Sequence, residues 1–301
     1  MNHKSGFITI IGRPNAGKST LLNSLIGTKI AIMSDKAQTT RNNIQGIYTD
    51  DECQMVFIDT PGIHKPLHEL GRRLNEMAYN AILGVDVILF MVDAKEGIGG
   101  GDLRIIETLK NYKVPVILVL NKIDLLKKSK MAIDKVILDY MDKYPFKAIF
   151  PISAKEKINI NHLINEIKNL LPEGPSYYPE DQITSHPERF LIAELIREKI
   201  LRLTTEEVPH SIAVVIDAIK EDEETPNLLN IFATIIVERD SQKGIIIGSQ
   251  GQMISKIRTT STKDIERLIG NKINLELWVR VKKDWRNKSM DLKNFGYEEE
   301  F

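Results

Sequence analysis

GRPNAGKS, residues 12 to 19, follows the apolar run GFITIIG (6–12) and opens a helical pattern over 17–27. Glycines at both ends let the backbone wrap closely, so that its N–H groups and the positive end of the following helix converge. Phosphate oxygens suit that convergence, and strand, glycine loop and helix together are the context in which this spacing reads as a P-loop. Gly12, Asn15, Ala16, Gly17 and Thr20 fall within the cradle. Lys18 adds a cation for terminal phosphates, and the Ser19 hydroxyl is a candidate magnesium ligand.

Around this loop, CQMVFIDT (53–60), VDVILFMVD (85–93), VPVILVLN (114–121) and FKAIFPIS (146–153) read as strands, most of them apolar on both faces. Such strands belong in a parallel sheet covered on both sides by helices. Helical patterns over 102–112, 130–143 and 159–171 supply the cover. NNIQGIYTDD (42–51) alternates like a half-exposed strand and turns into CQMVFID, which predicts one hairpin edge. The fold class is α/β, a doubly wound sheet, followed by a smaller α+β unit.

Three further motifs stand at strand ends. In DTPG, Asp59 can hold magnesium through water and the Gly62 N–H can meet a γ-phosphate. In NKID (Asn121, Lys122, Asp124), a carboxylate can accept both N1–H and the exocyclic amine of guanine, and adenine offers neither. In SAK (Ser153, Ala154, Lys155) the backbone can approach the guanine oxygen. The expected ligands are therefore GTP or GDP with Mg2+, the metal resting on Ser19 and Asp59.

These motifs resemble those of the translation-factor-type GTPases of the Era and TrmE group. In that group two threonines of the first switch loop precede an arginine, and AQTTR matches with Thr39, Thr40 and Arg41. The resemblance implies that Thr40 coordinates magnesium and senses the γ-phosphate, with Thr39 as its alternative. Ras-like enzymes place a water-orienting glutamine where this chain has Ile63, and an apolar side chain cannot orient water. The resemblance implies hydrolysis without that glutamine, with Asn15 helping to hold K+ beside the phosphates or else bracing the loop. The catalytic set is then Lys18, Thr40, Gly62 and Asn15. His64 and His68 read as solvated loop residues.

LPEGPSYYPEDQITSHP (171–187) holds four of twelve prolines and no helical period, so the chain divides into 1–172, a linker over 173–187, and 188–301. The last part reads as a helix (188–204), two strands (210–220 and 228–239), a glycine turn with a helix, and a strand (272–282). KEDEE (220–224) reads as a solvated loop. IIGSQGQMI (246–254) resembles the core of a KH domain, in which Gly248, Ser249, Gln250 and Gly251 clamp a nucleic-acid backbone. Lys256 lies one turn further on. Neither residue inside this GxxG is charged, but Arg239 to Lys293 carries 13 Lys and Arg against 6 Asp and Glu. Trp278 reads as core, and Trp285 as able to stack a base.

GTPase, linker and KH unit in this order, with ERFLIAELIREK (188–199) and LELWV (275–279), are similar to the Era family over essentially the whole chain. That resemblance implies a monomeric cytoplasmic factor for assembly of the 30S subunit. It would bind the 3′ end of small-subunit ribosomal RNA and associate peripherally with the inner membrane face. Two alternatives stand beside it: an RNA-binding module with a non-hydrolysing nucleotide site, and a tRNA-modification GTPase. The latter would need a preceding folate-type domain and a C-terminal cysteine.

Composition agrees with this division. The 301 residues suffice for about two domains. Basic and acidic residues balance at 41 each, so any attraction for nucleic acid is local. One cysteine, Cys53, excludes a disulfide framework and thiolate-rich zinc sites and fits a reducing compartment. MNHKSGFITIIG lacks the apolar length of a signal peptide, and no run reaches the ~20 apolar residues of a membrane span.

Overall fold

A computed structural model describes residues 3–34, 36, 38–126, 130–206 and 208–297, with 130–132 described in backbone only. The chain forms two compact units, one of Met1–Ala31, Thr40–Leu67 and Gly71–Ser185, the other of Ile32–Thr39, His68–Leu70 and His186–Phe301.

The first unit is built on β1 (Lys4–Ile11), β2 (Ile44–Thr49), β3 (Cys53–Asp59), β4 (Val87–Asp93), β5 (Val116–Asn121) and β6 (Ala148–Pro151). The sheet order is β2-β3-β1-β4-β5-β6. Every pair is parallel except the β2–β3 hairpin, the one edge expected from alternation. All seven residues of β4 and all six of β5 are buried, because helices cover both faces. Those helices are α1 (Lys18–Ile26), α2 (Glu69–Asn80), α3 (Gly100–Leu109), α4 (Lys130–Met141) and α5 (Ile160–Leu170). α2 was not apparent from periodicity, although Leu70, Leu74, Met77 and Ala78 recur on one face and are all buried. The proline-rich stretch straps onto this unit. Tyr177 and Tyr178 donate their N–H groups to Gln54 Oε1 at 2.7 and 2.9 Å, and Ile47 donates to the Ile183 carbonyl at 2.9 Å.

The second unit contains α6 (Glu188–Leu203), β7 (Ala213–Glu221), β8 (Leu228–Val237), α7 (Asp240–Ile247), α8 (Gln252–Ile269), β9 (Lys272–Val281) and α9 (Ser289–Asn294). β7 pairs antiparallel with β8, and β8 parallel with β9. Its core joins Ile196 and Ile200 of α6 to Ile231, Ala233 and Ile235 of β8, Ile257 and Ile265 of α8, and Leu275 of β9. Buried charges on α6 are paired. Arg197 bonds Glu194 at 2.6 Å and also the Thr39 carbonyl, and Glu198 Oε1 accepts from the Met33 N–H at 3.0 Å.

Three expectations for this unit are corrected. Lys220 and Glu221 end β7 rather than forming a loop, because they pair with Asn230 and Leu229. The glycine turn is preceded by a separate helix, α7, whose Gln242 side chain accepts the Arg239 N–H at 3.1 Å and so caps it. The tryptophans exchange roles. Trp285 is fully buried, donates Nε1–H to the Ser211 carbonyl at 3.0 Å and stacks on Tyr297, whereas Trp278 is 48% exposed.

Candidate functional site

The P-loop joins β1 to α1. Gly17 precedes the helix at φ 101°, in the left-handed region, and no side chain caps the first turn. A Cβ at Gly17 would lie 2.2 Å from Asn121 Nδ2, so glycine is required for conformation and for space. The N–H groups of this turn, uncapped by any side chain, could hold an anion. Lys18 is buried, and its ammonium donates to the Gly12 and Arg13 carbonyls at 3.1 Å each. Desolvation lowers its pKa to about 8, partly opposed by Asp59.

Three oxygens meet beside it. Ser19 Oγ donates to Asp59 Oδ2 at 2.6 Å, and Thr40 Oγ1 lies 2.9 Å from Ser19 Oγ. Burial raises the Asp59 pKa to about 6 against the favourable influence of Lys18, Ser19 and Thr40. Asp59 Oδ1 is buried and has no partner among the described residues. Two hydroxyls and a carboxylate with an unsatisfied oxygen form a hard donor set that fits Mg2+. Thr40 is the threonine directed here. Thr39 Oγ1 instead donates to the Lys36 carbonyl at 2.6 Å, and Ala37 of the matching stretch lies outside the described residues. Gly62 presses on the loop, since a Cβ there would lie 2.7 Å from Pro14 Cα.

On the base side, Asn121 at the end of β5 donates from Nδ2 to the Ala16 carbonyl at 2.9 Å. Its Oδ1 accepts the Ala154 N–H, also at 2.9 Å. Lys122, at φ 67°, reaches the Asn15 carbonyl and Asp93 Oδ2, both at 2.7 Å. Asp124 is exposed in the short 3-10 turn Ile123–Leu126, Ser153 is buried, and Lys155 is exposed beside Glu156. NKID, SAK and the P-loop, distant in sequence, thus form one hydrogen-bonded body. Thr20 lies in the first turn of α1, partly buried.

In the second unit, Gly248 to Gly251 form the turn between α7 and α8. Gly248 has φ 72°, and a Cβ there would lie 2.6 Å from that of Met253. Gly251 leads into α8 with no side-chain cap, and a Cβ there would meet nothing within 4 Å, so a second set of helix N–H groups is open at this end of the turn. Beside it runs a shallow groove of about 490 Å³ lined by Gln250, Gly251, Gln252, Ser255, Lys256 and Thr259. Ser249, Gln250 and Lys256 are exposed.

A family model described as "50S ribosome-binding GTPase" matches residues 7–122, and one described as a KH domain matches residues 207–286. A solved structure of Aquifex aeolicus Era, a variant bound to GDP and aluminium fluoride, is 43% identical with a TM-score of 0.95. The match covers 98% of this chain and all of that one. A structure of Era with MgGDPNP and nucleotides 1506–1542 of 16S ribosomal RNA is also 43% identical, with a TM-score of 0.96, over 99% of this chain and all of that one. The chain belongs to the Era family.

As an Era-family protein it is a GTPase with a KH unit, the GTPase motifs lying in the first compact unit and the GxxG turn in the second. Ile63 is 6% exposed and packs in the core while its N–H donates to the Gly12 carbonyl at 3.2 Å, so this position offers the site no polar side chain. Sequence reasoning missed one brace of the Era P-loop. Arg13 bonds Asp102 at 3.0 Å, and the fully buried Asp102 also accepts the Gly99 N–H at 2.9 Å, capping α3. The signal lay in an arginine inside the loop and an acidic residue in the first turn of a helix that starts with glycines. No helix among the described residues is long and apolar enough to cross a membrane.

Proposed function

We propose that this protein is a GTP-hydrolysing switch that binds the 3′ end of small-subunit ribosomal RNA through its KH unit and serves assembly of the 30S subunit. The observation that carries the reading is the convergence of Ser19, Thr40 and Asp59 beside a buried Lys18, in a chain that also presents an unobstructed GxxG turn. Its relative in complex with 16S ribosomal RNA nucleotides supports the choice of RNA.

In this reading the P-loop N–H groups from Gly12 to Thr20 hold the phosphates. Ser19, Thr40 and Asp59 would hold Mg2+, which would supply positive charge beside the terminal phosphates. Lys18 binds the terminal phosphates, and the Gly62 N–H meets the γ-phosphate. Asp124 accepts from the guanine base, between loops fixed by Asn121 and Lys122. Ile63 supplies no water-orienting group, and Asn15 would help hold a potassium ion whose charge would stand where a Ras-like enzyme uses an arginine finger. Loss of the γ-phosphate releases Thr40 and Gly62. Monomeric state, cytoplasmic location and peripheral membrane association belong to the proposal on the strength of the family resemblance alone.

Crosslinking in cells followed by sequencing of the bound RNA tests the assignment. Crosslinks concentrated at the small-subunit 3′ end are expected, and crosslinks confined to transfer RNA would overturn it. Phosphate release with saturating GTP separates a working GTPase from a non-hydrolysing module.

A further inference from the structure

The sheet of the second unit has two unlike faces. On β9 the alternating residues Ile273, Leu275, Leu277, Val279 and Val281 join the core, so Lys272, Asn274, Glu276, Trp278 and Arg280 point to the other side. There Trp278 stacks on Phe232 of β8, with ring centroids 5.9 Å apart and planes 19° from parallel. Trp278 is 48% exposed, so its indole keeps accessible surface.

A stacked cross-strand pair contributes about 0.2 to 1 kcal/mol to a sheet. That would suffice for two buried rings, but half-exposure of the largest side chain in the chain forgoes much of the burial that makes an indole useful to folding. The core is supplied from the opposite face, and the other tryptophan is fully buried. Near the ring Arg280 and, just past β9, Lys283 are exposed, with Glu276 on the strand, Asp284 after Lys283 and Asp217, bonded to Thr234 at 2.7 Å, as the neighbouring acids. An open aromatic face beside cations is the pattern that holds unpaired bases, and it tolerates any sequence because every base has a π-face.

The connectivity brings the Trp278 end of β9 back along the direction of the GxxG turn. α8 carries the chain about 27 Å from Gly251 at ~1.5 Å per residue. After the turn at Gly270, β9 returns about 20 Å by Trp278 at ~3.3 Å per residue. β9 is an edge strand of the sheet. A strand of RNA leaving the turn can therefore pass over this edge within a few nucleotides.

We propose that Trp278, with Phe232 beneath it, is a stacking platform for unpaired RNA bases that lie beyond the nucleotides clamped at Gly248 to Gly251. The inference rests on the RNA-binding reading of the KH unit and adds a second contact on the other face of its sheet.

The test uses the full chain and a fluorescently labelled RNA with the sequence of nucleotides 1506–1542 of 16S ribosomal RNA. Binding to the wild type is compared with Trp278→Ala and Trp278→Phe, and thermal melts establish that each variant is folded. One stacked base is worth about 1 to 3 kcal/mol, so Trp278→Ala should weaken binding by at least about fivefold and Trp278→Phe should recover part of the loss. Intrinsic tryptophan emission gives a second readout. RNA should quench it in the wild type and not in Trp278→Phe, whose remaining Trp285 is buried. A fully paired duplex should quench little.

Affinity unchanged in Trp278→Ala, or equal quenching by duplex and single strand, would overturn the platform. If binding responds to Ser249→Asp with Gln250→Asp but not to Trp278→Ala, the platform fails and the RNA reading stands. If the wild type does not bind this RNA at all, both fail.

Discussion

Ser19 donates its hydroxyl hydrogen to Asp59 at 2.6 Å, inside a site where burial lifts the Asp59 pKa to about 6. The carboxylate must be ionised to hold a divalent cation, so protons compete with Mg2+ across this range. Mg2+ affinity is expected to fall about tenfold per pH unit below pH 6 and to level off above pH 7, as measured by metal titration of the GDP complex. The sign for stability is the opposite. The folded pKa lies above the ordinary carboxylate value, so ionisation costs stability as pH rises from about 4 to 6. Without metal at pH 7.5, Asp59→Asn should be more stable than the wild type, by on the order of 2 kcal/mol, and the gain should vanish near pH 4 in denaturant melts.

Lys18 gives the complementary dependence. Its pKa of about 8 means that the free protein loses this cation in mildly alkaline solution, while bound phosphate favours the protonated form. GTP affinity should fall between pH 8 and 9.5, with net proton uptake on binding visible by calorimetry in buffers of different ionisation enthalpy.

Base selection rests on the exposed Asp124. Asp124→Asn should weaken GTP by tenfold or more and favour xanthosine nucleotides, whose C2 carbonyl accepts what an amide donates; a bidentate base contact is worth about 1 to 3 kcal/mol. Paired titration of both nucleotides reads the change, and an unaltered preference for GTP would remove Asp124 from the base site.

Replacing sodium by potassium at constant ionic strength should raise GTP turnover, and Asn15→Ala should abolish the difference. Equal rates in both salts would assign Asn15 to the loop alone, where its left-handed backbone already accepts from Lys122.

Carboxylates in the GxxG turn should repel phosphate. Ser249→Asp with Gln250→Asp should weaken RNA binding several-fold while GTP affinity stays within about twofold, measured on one preparation.

The sequence made the nucleotide site legible because its motifs are local: each needs a few neighbouring residues at a strand end. It could not choose between Thr39 and Thr40, which are identical neighbours; hydrogen bonding to Ser19 decides in favour of Thr40. The Arg13–Asp102 brace spans 89 residues, so its two local signals, an arginine in the loop and an aspartate in the first turn of α3, do not reveal that they meet. The tryptophans teach two different lessons. The period-two alternation of KINLELWVRV already places Trp278 on the face opposite Ile273 and Leu275, so its exposure could have been read. Burial of Trp285 depends on Ser211, Phe295 and Tyr297, partners that its charged neighbours conceal.

Asn121 ties the loop for the phosphates to the loop for the base through one side chain and two bonds of 2.9 Å, all between protein groups. The span between the two ends is thereby a fixed ruler. A guanine base alone or pyrophosphate alone can occupy one mark, but only a molecule of the right length reaches both, and the second attachment is then intramolecular and cheap in entropy. Discrimination in this pocket should therefore be metric as well as chemical: a nucleoside di- or triphosphate is expected to bind far more tightly than the monophosphate, as paired titrations of GDP and GMP would read.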